Sequence, residues 1–319
     1  MDSRSKLAVS RDTADLLIAG AFPGCTVAGY HELTEGFYNA VYLIEQGNGQ
    51  RCVLKVAPPD TLRVLRYERD IMAAEVAALR MAAAHTAMPV PKVYAFDTSR
   101  QLLPCPYMLM AYLPGESLHR LRPSLAPEVQ DAIDQTLGGY MAQLHAIRGS
   151  SFGLLADPAP PSHPWRQVFL GLLRDVLADG RDARVQLPLT PKAILARAES
   201  WADALNAVRE PRLVHWDLWD GNVFVEPATN RVSGVIDFER ALWADPLMEF
   251  QFREFSMGRA FTAGYGCDLL DSPEAHRRRT LYNLYLYLIM VIECTYRQYP
   301  NNDQERWARE RLDETLAKF

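Results

Sequence analysis

The sequence predicts an α+β fold in which an antiparallel N-terminal sheet with one inserted helix precedes a larger, mainly helical part. Short β-like runs dominate the first ~112 residues, whereas the pattern beyond Gly115 is mainly helical. With 319 residues, the chain is also long for one compact core. We therefore expect two closely joined lobes, residues 1–112 and 113–319. The first three strands are predicted at Thr26–Leu33, Ala40–Gln46 and Arg51–Val56.

Turn and propensity signals define the other N-terminal elements. Gly47-Asn48-Gly49 is a natural hairpin turn between the second and third strands. The stretch Arg66–Ala84 is rich in Ala, Leu, Met and Glu and lacks Pro and Gly, so it predicts a helix. A strand pair is expected at Lys92–Asp97 and Tyr107–Tyr112, and a short helix at Thr13–Ala19.

The C-terminal part is predicted to consist of helices interrupted by short strands. Its longest apolar run, Leu284–Ile292, is shorter than the about 18 residues of a membrane span, so we expect a buried helix and no membrane partner. The proline-rich stretch Asp157–Pro164 is a loop, because proline lacks an N–H donor. The predicted helices are Pro127–Ile147, Trp165–Leu177, Pro191–Val208, Leu281–Tyr296 and Gln304–Lys318.

Composition excludes several classes of protein. A net charge of −5 leaves no basic footprint, which argues against nucleic acid as a partner. The cysteines are five in number, scattered and without a CxxC pair. This pattern argues against a disulfide framework or a zinc site and favours a reducing cytoplasm. The N-terminus opens no signal-peptide core. A monomer and a homodimer both stay open.

The most informative stretch is Leu213–Val225, followed shortly by Val235-Ile236-Asp237-Phe238. It sets His215 and Asp217 two residues apart, with Asn222 five residues further on. This order is typical of the catalytic loop and metal-binding strand of a kinase-type phosphotransferase. Asp217 would receive the proton of an acceptor hydroxyl. Asn222 and Asp237 would supply the oxygen ligands that Mg²⁺ prefers.

His215 is the second candidate catalytic residue, and we expect it to brace the loop rather than to transfer protons. Each of these residues has a structural alternative when it is taken alone: a turn, a strand-end cap or a core histidine. The ordered set therefore carries the prediction.

Lys55 lies in the otherwise apolar strand Cys52–Val56. Burial disfavours its charge unless a carboxylate pairs with it. Glu75 on the following helix is the preferred partner, and Glu68, two turns earlier, is the alternative. Such a pair would hold the α- and β-phosphates of a nucleotide. A surface lysine and a solvated glutamate are the competing interpretation.

The loop Thr34–Ala40 lies between the first two strands, where a phosphate-covering loop is expected. Gly36 and Asn39 are its candidate cofactor-binding residues. The loop lacks GxGxxG, and the chain has no GxxxxGK[ST], which excludes a P-loop.

Two tryptophans, Trp216 and Trp219, bracket Asp217. They could wall an acceptor pocket, although packing is the commoner role of loop aromatics. For the charged residues that follow Asp237, a solvated or structural role is favoured over contact with an acceptor. These residues are Glu239, Arg240, Asp245, Glu249 and Glu254.

From roughly Val27 to Phe250 the chain resembles the aminoglycoside phosphotransferase family, which includes choline, homoserine and fructosamine kinases. That family has a His-Gly-Asp-x-x-x-x-Asn box, an Ile-Asp-[Phe/Trp] strand and a Gly-Asp-Pro turn. They stand here as His215-Trp216-Asp217 with Asn222, Ile236-Asp237-Phe238 and Ala244-Asp245-Pro246. The resemblance implies a bilobal protein-kinase-like fold.

The same resemblance implies ATP as the phosphate donor, with GTP not excluded, and Mg²⁺ as the metal. It makes Asp217 the base, Asn222 and Asp237 the metal ligands, and Lys55 with Glu75 the phosphate-holding pair. Met108–Gly115 would be the hinge, where the backbone of Ala111 and Leu113 would bond adenine. The implied acceptor is a small hydroxylated molecule, foremost an aminoglycoside or another antibiotic. A metabolic sugar, amino-alcohol or fructosamine acceptor is the alternative.

Departures from the relatives narrow the acceptor class. Trp216 replaces the usual Gly, which would make the acceptor side of the loop narrower. The chain lacks the Lys after the catalytic Asp, the Gly of Asp-Phe-Gly and the Ala-Pro-Glu element, so a small molecule is favoured over a protein. Two minor alternatives are a nucleotide-binding pseudokinase and a hydrolase that uses the GxSxG match at Gly149–Gly153.

Overall fold

The computed structural model of the protein describes residues 6–34, 38–251, 259–267, 270, 272–299 and 301–319. Gly36 and Glu254, two residues considered above, lie outside these ranges.

An antiparallel sheet with the strand order β1-β2-β3-β5-β4 forms the N-terminal part. Side chains alternate between the faces of a strand. Leu54 of β3 therefore packs on the face shared with α1, while Val53 packs on the face shared with α2. Lys55 is two residues from Val53 on the same strand, so its side chain points to the same face, toward α2. The elements are α1 (Arg11–Ala21), β1 (Val27–Glu32), β2 (Ala40–Gln46), β3 (Arg51–Val56), α2 (Ile71–His85), β4 (Val93–Asp97) and β5 (Tyr107–Ala111).

The helix predicted at Arg66–Ala84 is divided in the structure. A 3₁₀ turn, Arg66–Glu68, precedes α2, which begins only at Ile71. Asp70 between them has a left-handed backbone with φ of 55°. An α-helix cannot continue through that conformation, which propensity alone does not reveal.

The C-terminal part is built around a large apolar core to which α5, α6, α8 and α9 contribute. Helix α8 begins at Pro273 rather than the predicted Leu281, because Ser272 caps it by accepting from the Ala275 N–H. The elements are β6 (Glu116–Ser117), α3 (Leu118–Leu121), α4 (Pro127–Ala146), β7 (Gly153–Leu154), α5 (Trp165–Asp182), α6 (Pro191–Trp201), β8 (Arg212–Val214), β9 (Val223–Glu226), β10 (Arg231–Val235), β11 (Leu242–Ala244), α7 (Arg259–Tyr265), α8 (Pro273–Arg297) and α9 (Asp303–Leu316).

Two small antiparallel sheets, β10-β9-β6 and β7-β11-β8, position the motif residues. Strand β8 ends immediately before His215, and β10 ends two residues before Asp237. The β9–β10 hairpin also meets the chain that leaves the N-terminal sheet, because the Ser233 hydroxyl donates to the Pro114 carbonyl at 2.6 Å.

The apolar run Leu284–Ile292 lies within α8 and is buried as predicted, apart from the half-buried Met290. Across the described ranges, none of the helices combines the length and the apolar character that a membrane crossing requires.

Candidate active site

A buried carboxylate, Glu249, holds the loop that begins at His215. It is fully buried and accepts hydrogen bonds from the backbone N–H groups of His215, at 2.7 Å, and Trp216, at 3.1 Å. The Nε2 of His145 lies 3.4 Å from the same carboxylate. Burial raises the pKa of Glu249, but the hydrogen bonds from His145 and from the His215 backbone bring it below its usual value. Glu249 is thus structural, the role favoured from the sequence.

His215 connects the loop to the end of β10. Its Nδ1 accepts from the Asp217 N–H at 3.1 Å, which leaves the proton on Nε2. That Nε2 donates to the Ile236 carbonyl at 3.0 Å. Burial lowers the pKa of His215, so the neutral ring is favoured. Both ring nitrogens therefore bond to backbone, an arrangement suited to bracing.

Asn222 orients Asp217. Its Nδ2 donates to the Asp217 carbonyl at 2.9 Å and to the carboxylate Oδ2 at 3.1 Å. Burial raises the pKa of Asp217 to about 8, against the lowering effect of the Arg240 charge. The Ile236 N–H donates to the Asn222 carbonyl at 3.0 Å, which brings Asp237 beside Asn222.

The Lys55 ammonium joins the N-terminal sheet to this loop region. Its Nζ lies 2.7 Å from Glu75 Oε2, 2.6 Å from Asp237 Oδ1 and 3.2 Å from Glu239 Oε2. Burial lowers the pKa of Lys55, but these carboxylates raise it well above its ordinary value. The alternative partner, Glu68, instead contacts Arg297 at 2.5 Å. The structure thus pairs Lys55 with Glu75.

Glu239 belongs to the candidate site by its contacts, whereas the sequence favoured a solvated or structural role for it. It is 9% exposed and accepts from Asn39 Nδ2 at 2.7 Å, so it links the β1–β2 connection to Lys55. In the sequence, its position two residues after Asp237 was the signal that could have placed it in the candidate site.

The donor set fits a hard cation such as Mg²⁺. Carboxylate oxygens of Glu75, Asp237 and Glu239 lie within 4.8 Å of one another, but the Lys55 ammonium already contacts all three. The Asn222 amide nitrogen is bonded to Asp217, so its carbonyl oxygen is the atom that can act as a ligand. Asn222 together with Asp237 therefore offers the oxygen ligands that Mg²⁺ prefers.

Trp216 does not narrow the acceptor side of the loop, contrary to the expectation from the sequence. Its ring is fully buried and stacks on Tyr285 of α8, with centroids 5.3 Å apart and an interplanar angle of 3°. The backbone turns it inward with φ of 58°. Packing is therefore its role.

Trp219 lies on the surface and is 41% exposed. Its ring covers Gly221, where an added Cβ would fall 2.1 Å from the indole, and its centroid is 5.4 Å from the His119 ring. Gly221 in turn precedes Asn222, the partner of Asp217. The exposed indole thus adjoins the loop that carries Asp217 and Asn222.

The predicted hinge, Met108–Gly115, begins within β5, which ends at Ala111. The Ala111 N–H donates to the Lys92 carbonyl at 2.8 Å within the sheet. The Ala111 carbonyl and the Leu113 N–H could therefore form hydrogen bonds with a bound nucleotide base, but the Ala111 N–H is already engaged. Leu113 packs close to Gly234 of the β9–β10 hairpin, where a Cβ would meet its side chain at 2.3 Å.

The hydrolase alternative fails on local structure. Ser151 follows helix α4 and precedes the short strand β7, whereas a nucleophile elbow stands between a strand and a helix. Asp245, of the Ala-Asp-Pro turn, accepts from the Tyr282 hydroxyl at 2.7 Å and from Arg278 Nε at 2.9 Å, so it is structural.

A buried lysine paired with a helix glutamate, facing an ordered His-Asp-Asn-Asp set in an α+β chain, defines a kinase-type phosphotransferase. Residues 29–280 match the sequence model of the phosphotransferase enzyme family, and the chain belongs to that family.

Solved structures show the same fold. The GDP complex of aminoglycoside 2'-phosphotransferase-IIIa is 18% identical, with a TM-score of 0.68 over 97% of this chain and 99% of that chain. A thermostable mutant of aminoglycoside phosphotransferase APH(4)-Ia, in ternary complex with ADP and hygromycin B, is 20% identical. Its TM-score is 0.67 over 96% of this chain and 98% of that one. The protein therefore has the kinase-like fold of aminoglycoside phosphotransferases, as the sequence predicted.

A curated relative is the probable acyl-CoA dehydrogenase IBR3 of Arabidopsis thaliana. It is 28% identical over 211 residues, which are 64% of this chain and 25% of the plant protein. The chain thus matches about a quarter of that relative's length.

Replacing Trp216 with Gly is expected to destabilise the protein by about 1–4 kcal/mol. Loss of a buried Trp costs about 3–5 kcal/mol, whereas relief of the left-handed backbone returns only about 1–2 kcal/mol. Urea unfolding measures the difference. An unchanged free energy of unfolding would mean that the Trp216 ring adds little to the core.

Proposed function

We propose that the protein transfers the γ-phosphate of ATP to a hydroxyl group of a small molecule, in a reaction that requires Mg²⁺. The observation that carries the proposal is the set of contacts between Lys55, Glu75 and Asp237. These contacts bring a lysine and a glutamate of the N-terminal part to an aspartate of the C-terminal part, where the phosphates would bind. Lys55 Nζ lies within 2.7 Å of both carboxylates.

In this proposal Asp217 accepts the proton of the acceptor hydroxyl while that oxygen attacks the γ-phosphorus. Asn222 holds the carboxylate through its 3.1 Å bond, so the base is positioned before the substrate arrives. Lys55 neutralises the phosphates, and Glu75 orients the lysine. The Ala111 carbonyl would accept a hydrogen bond from the adenine base, and the Leu113 N–H would donate one to it.

The metal would be held by Asn222 and Asp237. When bound, Mg²⁺ would neutralise charge on the β- and γ-phosphates. The nucleotides in related structures support the donor class, since they include ADP and GDP. ATP is the lead donor, and GTP stays an alternative.

The lead acceptor is an aminoglycoside or another hydroxylated antibiotic. Structures of the same fold contain hygromycin B and kanamycin. The second candidate is a metabolic acceptor, such as a sugar or an amino alcohol.

An ATP-consumption screen over aminoglycosides, sugars and amino alcohols tests the proposal. We expect Mg²⁺-dependent turnover with at least one class, and mass spectrometry of the product should show one added phosphate. Magnesium omission is the control. ATP consumption that no compound stimulates, and that yields no phosphorylated product, would contradict the proposed function.

Replacing Trp219 with Ala is expected to raise the KM of the acceptor several-fold to roughly tenfold and to leave the KM of ATP nearly unchanged. Its exposed indole adjoins the loop of Asp217, and an aromatic contact is worth about 0.5–1.5 kcal/mol. The matched control is Trp307→Ala, because Trp307 is 38% exposed on α9 and packs on Tyr287. A larger effect on ATP than on the acceptor would assign Trp219 to the nucleotide side.

A further inference from the structure

Arg297 lies at the C-terminal end of α8, where it joins the long C-terminal helix to segments of the N-terminal part. Its side chain is 11% exposed, and its Nη2 is 2.5 Å from Glu68 Oε1 and 3.3 Å from Glu293 Oε2. Its guanidinium carbon lies 5.2 Å from the centre of the Tyr38 ring. The C-terminal end of a helix also favours a cation, because the helix dipole is negative at that end.

The Glu68 contact fixes the entry of the chain into α2. Glu68 ends the 3₁₀ turn and also accepts the Leu65 N–H at 2.8 Å through its second carboxylate oxygen. Helix α2 begins three residues later, and Glu75 lies in its first turns. A shift of Glu68 would therefore move Glu75, the carboxylate that orients Lys55.

The Tyr38 contact leads to Lys55 by a second route. Tyr38 directly precedes Asn39, which donates to Glu239 at 2.7 Å. Glu239 in turn lies 3.2 Å from Lys55 Nζ. Arg297 thus contacts Glu68 in the turn that leads into α2 and Tyr38 in the β1–β2 connection. Both segments continue to residues that contact Lys55 or its partner Glu239.

We propose that Arg297 is a positioning residue for the nucleotide: by holding Glu68 and Tyr38 it sets the geometry of the Lys55 ammonium against the phosphates. A guanidinium suits this position, because its planar fork can meet two carboxylates and an aromatic face at once, whereas an ammonium is a single point of charge. The inference rests on the proposed function, since it presumes that Lys55 contacts ATP.

The test measures the Kd of Mg·ATP by displacement of a fluorescent ATP analogue from the whole 319-residue chain. We expect Arg297→Met to raise the Kd at least tenfold, Arg297→Lys to give an intermediate value, and Glu68→Gln to weaken binding as well. Adding Glu68→Gln to Arg297→Met should cause little further loss, because both act through one contact. Thermal unfolding is recorded for each variant.

Arg306→Met is the matched control, because Arg306 is 70% exposed in a surface pair with Asp303. Its Kd should equal that of the wild type. Variants of Arg297 that melt at lower temperature but bind Mg·ATP normally would overturn the inference and leave only a structural role. If Arg297→Met does not fold, Arg297→Lys and Glu68→Gln decide by the same criterion. A wild-type protein that binds no ATP analogue would instead contradict the proposed function, and the inference would fall with it.

Discussion

Replacing Asp217 with Asn is expected to reduce turnover by at least roughly 10²-fold while Mg·ATP still binds, because the variant keeps the shape of the side chain but cannot accept a proton. The Asn222 amide can still donate to the carbonyl oxygen of the new side chain. The hydrogen bond that spans 3.1 Å in the wild type is therefore retained. The loss should therefore fall on kcat rather than on nucleotide affinity.

The measurement pairs steady-state kinetics on the acceptor found by the screen with direct titration of Mg·ATP. Asp203→Asn is the control for the same chemical change, because the Asp203 side chain is 87% exposed. Near-normal turnover of the Asp217 variant would show that another group accepts the proton. A loss of nucleotide binding of equal size would show that Asp217 acts mainly on the phosphates.

The dependence of activity on pH offers a second readout of the same residue. Burial raises the pKa of Asp217 to about 8, so its ionised fraction grows as the pH rises through that value. We expect kcat/KM to increase with pH on an acid limb at or below pH 8, since bound Mg²⁺ favours the carboxylate. That limb should disappear in the Asn variant. A wild-type profile that is flat between pH 5 and 8 would contradict the assignment.

The fold and the motif positions were predictable because they depend on local pattern. Strands β2 and β3 have the predicted bounds, since short apolar runs on either side of a Gly-Asn-Gly turn specify them. Helix α2 was predicted too long, because the left-handed Asp70 that interrupts it leaves no clear signal in composition.

Long-range pairing was harder to predict. Glu68 and Glu75 stand on one helical pattern, and only the three-dimensional path decides that Glu75 meets Lys55 while Glu68 meets Arg297. Trp216 illustrates the same limit. The sequence shows a bulky residue beside Asp217, but the left-handed backbone that turns its ring toward Tyr285 becomes visible only in the structure.

Replacing Lys55 with Ala is expected to lower kcat/KM for ATP by roughly 10²-fold or more, because the variant loses the cation that would meet the phosphates. It also leaves Glu75, Asp237 and Glu239 facing one another without a positive charge. Breaking a buried ion pair in this way costs about 3–5 kcal/mol, so the melting temperature should fall as well. Kinetics must therefore be measured below the onset of unfolding.

Lys192→Ala is the matched control, because Lys192 lies exposed on α6. Unchanged kinetics of the Lys55 variant would show that another lysine serves the phosphates. Glu75→Gln separates orientation from charge: it keeps the ammonium but weakens the 2.7 Å contact that directs it. If Glu75 acts only through Lys55, its substitution should cost less than Lys55→Ala and add nothing in the double variant. An additive double variant would mean that Glu75 reaches the nucleotide or its metal by a route of its own.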